Sequence, residues 1–225
     1  MMAQQLSFDL PAKPAHGRED FFVSAANAQA VAMIDTWYAW PARKLVLYGP
    51  PGAGKTHLAH VWSAQSSAPI ISAADLAQAD IPALAQNHVA VEDCDGIAGS
   101  EPAETALFHL HNLTLAEGHS LLLTANAAPK YWNLALPDLA SRMQGTPAVE
   151  LDLPDDRLLT AILAKLFDDR QLTPTPDVIP YLLRRIDRSF EAAREVVALL
   201  DSAALSRKRA LTRPFARDVL DNAGL

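Results

Sequence analysis

Gly49-Pro50-Pro51-Gly52-Ala53-Gly54-Lys55-Thr56 holds the densest chemistry in this chain. The order satisfies G-x-x-x-x-G-K-[ST], and it stands between an apolar run at 45–48 and a helix-patterned stretch carrying Leu58, Ala59 and Trp62. Glycine at 52 and 54 lets backbone N–H groups turn toward phosphate oxygens with no side chain in the way. The helix that follows adds the positive end of its dipole. Lys55 supplies an ammonium for β- and γ-phosphates, and Thr56 a hydroxyl for Mg²⁺. A plain Gly/Pro turn between strand and helix would need neither the Lys-Thr pair nor both flanks. Nucleotide binding is the expected chemistry, with Mg²⁺ beside the phosphates.

A phosphate loop of this kind needs carboxylates at the end of a neighbouring strand. Val89-Ala90-Val91 runs into Glu92-Asp93, so Glu92 is expected to face the metal, through a water if necessary, and Asp93 to position the nucleophile. Leu121-Leu122-Leu123-Thr124 followed by Ala125-Asn126 is a further strand with a polar end, and either Thr124 or Asn126 can read a γ-phosphate. The histidines are background. His57 and His60 share one helix, His109 and His111 point to different faces of another, and neither pair has a third ligand at metal spacing.

These residues must be positioned by a core, and the composition supplies one. The chain has 225 residues, 50% of them hydrophobic and 20% charged, which is globular rather than disordered composition. Lys+Arg 19 against Asp+Glu 26 gives a formal net charge of 19 − 26 = −7. That acid excess argues against whole-surface nucleic-acid binding and leaves room for a local basic patch. No apolar run reaches about twenty residues, so no membrane span is expected, and the N-terminus lacks the basic start and apolar run of an export signal. Cys94 is the single cysteine, which fits a reducing cytoplasm.

Residues 1–20 read as a flexible tail interrupted by Pro11, Pro14 and Gly17. Residues 21–154 alternate helical patterns with short apolar runs. The strands are predicted at 45–48, 69–72, 89–91, 121–124 and 148–151, and the helices at 28–38, 55–64 and 105–117. Runs so short and so apolar suit a parallel sheet covered on both faces. After Pro154 the strand signals stop, and 157–169, 177–186, 190–206 and 214–222 all read as helices. The fold class is therefore α/β, a five-stranded parallel sheet flanked by helices, with a small all-helical domain at 155–225.

With Gly49–Thr56, His57-Leu58, Glu92-Asp93 and Thr124–Asn126 in this order, the chain resembles the AAA+ ATPases, and its final helices resemble their lid. More narrowly it is similar to the clade of the replication initiator DnaA. The carriers are Phe22-Val23 with Asn27, Gly-Lys-Thr-His-Leu, Leu136-Pro137-Asp138-Leu139-Ala140-Ser141-Arg142-Met143, and the segment from Arg209 to Ala216. The initiator would continue past the position of Leu225 into a DNA-binding domain, so by this resemblance no direct sequence-specific DNA binding is expected. The start, Gln5-Leu6-Ser7-Phe8-Asp9-Leu10, looks like the peptide that docks on the DNA polymerase sliding clamp. A shortened initiator-like ATPase with a clamp peptide is the composition of the Hda family, which inactivates DnaA.

The resemblance implies that the nucleotide is ADP or ATP, that Val23 lies against it and that Gln5, Leu6, Ser7, Phe8 and Leu10 contact the clamp. It makes Arg142 an arginine finger acting in a neighbour's site, which leaves room for homo-oligomers as well as for DnaA as partner. Two positions depart from the family. Its lid arginine falls on Glu191, leaving Arg194, one turn on, as the cation for that role; Glu92 also stands where Asp is usual. Both changes weigh against self-catalysed hydrolysis and leave binding intact. The expected function is a clamp-tethered regulator that stimulates ATP hydrolysis by DnaA. Two alternatives are a helicase-loader-type ATPase, set apart by brisk turnover of its own, and a nucleotide-gated adaptor with other partners.

Overall fold

The computed structural model describes residues 22–207 and 209–224. The clamp-peptide residues Gln5, Leu6, Ser7, Phe8 and Leu10 lie outside them. The elements run α1 Ala28–Asp35, β1 Lys44–Tyr48, α2 Lys55–Ser66, β2 Ile70–Ser72, α3 Ile81–Leu84, β3 Val89–Glu92, α4 Glu101–Ala116 and β4 Leu121–Ala125. They continue with α5 Pro137–Gln144, β5 Ala148–Glu150, α6 Asp156–Asp169, α7 Val178–Leu182, α8 Phe190–Arg207 and α9 Arg213–Ala223. All strand pairs are parallel, in the order β2-β3-β4-β1-β5. The expected five-stranded sheet and helical domain are both present.

The strand centres are apolar because both faces of the sheet are covered there, and polar residues such as Lys44, Ser72, Glu92 and Glu150 stand at strand ends. Leu45, Leu47, Ala90, Leu122 and Val149 point to the side packed by α1 and α2, with Trp40 and Trp62 beneath them. Val46, Val89, Val91, Leu121 and Leu123 point to the other, against Leu107 and Leu110 of α4 and Leu139 and Met143 of α5. This is the period-two alternation of a strand with two dry faces. Each such Leu or Val contributes about 1.5–3 kcal/mol by leaving water. A third cluster, built on Leu163, Phe167, Val197, Leu200, Phe215 and Leu220, forms the core of the helical domain.

Helix boundaries follow local chemistry. The Asp155 carboxylate accepts from Leu158 N at 2.7 Å and starts α6, and Pro214 sits in the first turn of α9 as its fixed φ allows. Two helices are shorter than their periodicity suggests. α1 ends at Asp35, where Thr36 leaves helical geometry (φ −111°, ψ 29°). A separate tight turn over Trp37–Ala39 follows, closed by Trp40, which precedes Pro41, is held extended (φ −58°, ψ 132°) and donates its indole Nε1 to Met33 O at 2.7 Å. α7 gives way after Leu182 to turns such as Arg184 N to Tyr181 O at 3.2 Å. α5, whose buried residues are only Leu139 and Met143, has too little period to be legible as a helix.

Candidate functional site

The strand β1 delivers the loop. Gly49 has to be glycine because a Cβ there would lie 2.1 Å from Leu151 O, in the segment after β5 whose N–H donates to Tyr48 O at 2.7 Å. Gly54 adopts φ 97° as the residue before α2, a conformation that strains any L side chain. The turn delivers Lys55 inward, with its side chain buried. Its Nζ donates to Gly49 O at 2.7 Å, to Pro50 O at 3.1 Å and to Asn126 Oδ1 at 3.1 Å. All three ammonium protons are thus directed by the loop and by the end of β4. Burial pushes the Lys55 ammonium below its ordinary range, and Asp93, Asp95 and Glu92 pull it back up. Pro50, Pro51 and Thr56 are exposed at the mouth of the loop, while Gly52 is half-buried and Ala53 buried.

The neighbouring strand end is more elaborate than expected. Glu92 Oε1 and Asp95 Oδ1 are both buried without a hydrogen-bond partner. The second oxygen of Asp95 accepts from Asn126 N at 3.0 Å. Buried carboxylate oxygens left without donors are costly, by about 1–3 kcal/mol or more each. Hard oxygen donors in that condition, close enough to raise the Lys55 ammonium electrostatically, suit a divalent cation such as Mg²⁺. Asp93 is exposed at φ 57°, and its N–H donates to Thr124 Oγ1 at 3.2 Å. The Thr124 hydroxyl therefore shapes the strand end, and of the two candidates it is Asn126 that stands at the lysine. Asp95 was not anticipated; the signal was a third carboxylate three residues past Glu92. Cys94 between them is fully buried, and its thiol is pushed well above the usual range by that burial.

The helical domain closes on the loop through two residues that the spacing did not reveal. A Cβ on Gly52 would sit 2.4 Å from Ser189 Cβ, and one on Gly54 would sit 2.9 Å from the Phe190 ring. Phe190 N donates to Gly52 O at 3.4 Å, and its ring stacks on His57 with centroids 6.1 Å apart. Glu191 and Arg194 follow in the first two turns of α8 and are exposed. On the other flank, Asn27 organises the segment bearing Val23: its Oδ1 accepts from Ser24 N at 2.9 Å and its Nδ2 donates to Phe22 O at 2.9 Å. Asp152 N donates to Ala26 O at 3.2 Å, which ties this segment to the chain that also touches Gly49. Val23 itself is 49% exposed.

Arg142 lies apart from all of this. It is exposed in the last turn of α5, with its guanidinium 5.2 Å from the Phe108 ring. Its carbonyl accepts from Lys44 Nζ at 3.2 Å, and Lys44 is the first residue of β1, whereas the loop follows the last. The strand separates them by about 13 Å, at about 3.3 Å per residue. Arg142 is therefore not part of its own subunit's phosphate cluster.

Residues 155–220 match the family model described as the Hda lid domain. Domain III of the replication initiation protein DnaA from Thermotoga maritima is similar at 17% identity over 95% of this chain and 98% of its own, with a TM-score of 0.78. AMPPCP-bound DnaA from Aquifex aeolicus is similar at 21% identity over 88% of this chain and 69% of its own, with a TM-score of 0.74. A DNA replication initiation factor gives 22% identity, 87% and 68% coverage and a TM-score of 0.72. The fold is that of an AAA+ domain with its helical lid. Among the described residues, no helix is long and apolar enough to cross a membrane.

Proposed function

We infer, from the premise that this chain is an Hda-like AAA+ protein related to DnaA, that it holds an adenine nucleotide and presents Arg142 to ATP bound by DnaA. The observation that carries the reading is the position of Arg142. An exposed guanidinium, on a residue whose backbone carbonyl is bonded to Lys44 at the far end of the strand that feeds its own phosphate loop, can enter a neighbour's site. Placed on developing γ-phosphate charge, such a group raises hydrolysis by about 10³–10⁵.

The nucleotide fits the loop 49–56, with Lys55 and Asn126 at the phosphates and Val23 and Arg194 at the flanks. Thr56, Glu92 and Asp95 would hold Mg²⁺, which supplies charge neutralisation for the phosphates. Glu191 carries the wrong sign to stabilise a γ-phosphate, so turnover by the isolated chain is expected to be slow. The clamp peptide around Leu6, Phe8 and Leu10 buries about 1.5–3 kcal/mol per side chain when docked, before ordering costs. The resulting weak attachment raises the local concentration of Arg142 near clamp-loaded DNA.

The test is phosphate release from ATP-loaded DnaA, with and without clamp loaded on DNA, across a range of doses. The wild-type chain accelerates release in a clamp-dependent way. Arg142→Ala binds nucleotide and clamp normally and accelerates nothing. Full acceleration by that variant overturns the reading, and brisk ATP turnover by the isolated chain points instead to an autonomous ATPase.

A further inference from the structure

The helix α5 is short, polar on its outer face and anchored by only two buried apolar residues, Leu139 and Met143. Eight residues of this composition do not hold a fixed position by burial and propensity alone. Buried polar groups meet it at both ends. At its leading turn, the Glu104 carboxylate, 1% exposed, accepts from Leu136 N at 2.7 Å and Ala135 N at 3.1 Å. The same carboxylate takes Gly99 N at 2.8 Å, so α4, its own preceding loop and the start of α5 share one acceptor. Burial opposes its ionisation, but these three N–H donors outweigh that and hold the carboxyl below the usual range.

At the trailing turn the charge is reversed. Lys44 Nζ, on a side chain 8% exposed, donates to the carbonyl of Arg142 at 3.2 Å, where Thr146 Oγ1 also donates at 2.8 Å. The ammonium is held there by His111 Nε2 at 3.2 Å, while His111 Nδ1 faces Asn112 Oδ1 at 3.2 Å. That pairing is self-consistent when Nδ1 carries the single ring proton and Nε2 accepts from the lysine. A carboxylate at the start and an ammonium at the end match the helix dipole at both poles. Glu104, Phe108 and His111 lie at i, i+4 and i+7, one stripe of α4, and Phe108 lies under the Arg142 guanidinium.

We propose that Glu104, Phe108, His111 and Lys44 are positioning residues that brace α5 and aim Arg142 at the neighbouring molecule's nucleotide. This deepens the reading of Arg142 as a trans-acting finger and rests on it. The two hydrogen bonds on the Arg142 carbonyl fix the backbone of the functional residue itself, and the Phe108 ring limits the arc its side chain sweeps. Finger chemistry depends on placement within a fraction of an ångström, and about 1 Å of error costs up to about 10²-fold.

The full-length chain is assayed for stimulated phosphate release from ATP-loaded DnaA with clamp on DNA, over a dose series. Nucleotide affinity and melting temperature are measured beside it. Glu104→Ala, which removes all three acceptor contacts, and Lys44→Met are expected to lower the maximal rate about tenfold or more. Glu104→Gln, which keeps the shape but loses the charge, falls between. The half-maximal dose and the nucleotide affinity stay at wild-type values. Phe108→Leu removes the ring under the guanidinium and leaves the hydrogen bonds of Glu104 and Lys44 in place, so it lowers the maximal rate with unchanged nucleotide affinity, even if Glu104→Ala fails to fold. Wild-type maximal rates in Phe108→Leu, Glu104→Gln and Lys44→Met, with Arg142→Ala inactive, overturn the brace alone. Retained stimulation by Arg142→Ala overturns the finger reading beneath it. A loss of rate matched by loss of nucleotide affinity also overturns the brace, because it marks general destabilisation.

Discussion

Replacing Gly52 by Ala tests whether the lid rests on the phosphate loop in solution. The new methyl would meet Ser189 Cβ at 2.4 Å and Ser189 Cα at 3.4 Å, at a backbone φ of 81°. The left-handed conformation costs an L residue about 1–2 kcal/mol. The overlap adds about 1–3 kcal/mol, the usual range for a methyl forced into a packed contact. The sum, about 2–5 kcal/mol, is lost whether the loop yields or the lid moves off, up to the docking energy in the second case. Ser189→Gly removes the opposing Cβ. It also removes the Oγ that accepts from Ala192 N at 3.0 Å, and a Ser-to-Gly change at a helix cap costs only a few tenths of a kcal/mol, about 0.3. In the double variant the overlap vanishes and the backbone strain remains, so the two changes couple by about 1–3 kcal/mol. Urea unfolding of the four proteins measures that coupling, and at this chain length each kcal/mol also moves the melting temperature by about 2–4 °C. A cycle additive to within about 0.5 kcal/mol would refute direct packing of Ser189 on Gly52.

Lys55→Ala removes an ammonium that bonds Gly49 O, Pro50 O and Asn126 Oδ1 and leaves Glu92, Asp93 and Asp95 without their nearest cation. At about 1.5–3 kcal/mol for a hydrogen bond to a charged group, ATP and ADP affinity falls about 10- to 150-fold, read by fluorescent-nucleotide titration. Acid sensitivity has a specific source in His111, which burial holds down at about 4 against an ordinary 6.5. Between those values the unfolded chain binds a proton that the folded chain refuses, so stability is full above pH 6.5 and declines as pH falls toward 4. The slope from this one ring reaches about 1.4 kcal/mol per pH unit, and His111→Asn should flatten the wild-type curve over that window in urea titrations.

The parts of this protein that were legible in its residues are those whose causes are local. The phosphate loop declares itself because glycine, lysine and threonine must occupy fixed offsets along one turn. The five strands stand out because burial on two faces leaves their centres as short apolar runs, and the lid helices because their caps and prolines lie next to the apolar period they bound. Glu92, Asp93 and Asn126 were found by the same logic of strand followed by polar end. What escaped was decided by contacts between residues distant in the chain. Nothing in the segment 121–126 says whether Thr124 or Asn126 faces the lysine; the pairing of β4 beside β1 places Asn126 there and turns the Thr124 hydroxyl to Asp93. Asp95 gained its place through a single-turn helix at Cys94–Ile97. Ser189 and Phe190 read as a helix start, and only the docking of one domain on the other sets them against Gly52 and Gly54. Lys44 and Glu104 look like surface charges in any window of sequence. They are buried because the sheet order brings the first residue of β1 and one face of α4 to the two ends of α5, where backbone groups satisfy them. Periodicity reports which side of an element meets apolar surroundings, whereas the partner of a buried charge is set by chain topology, which no local pattern encodes.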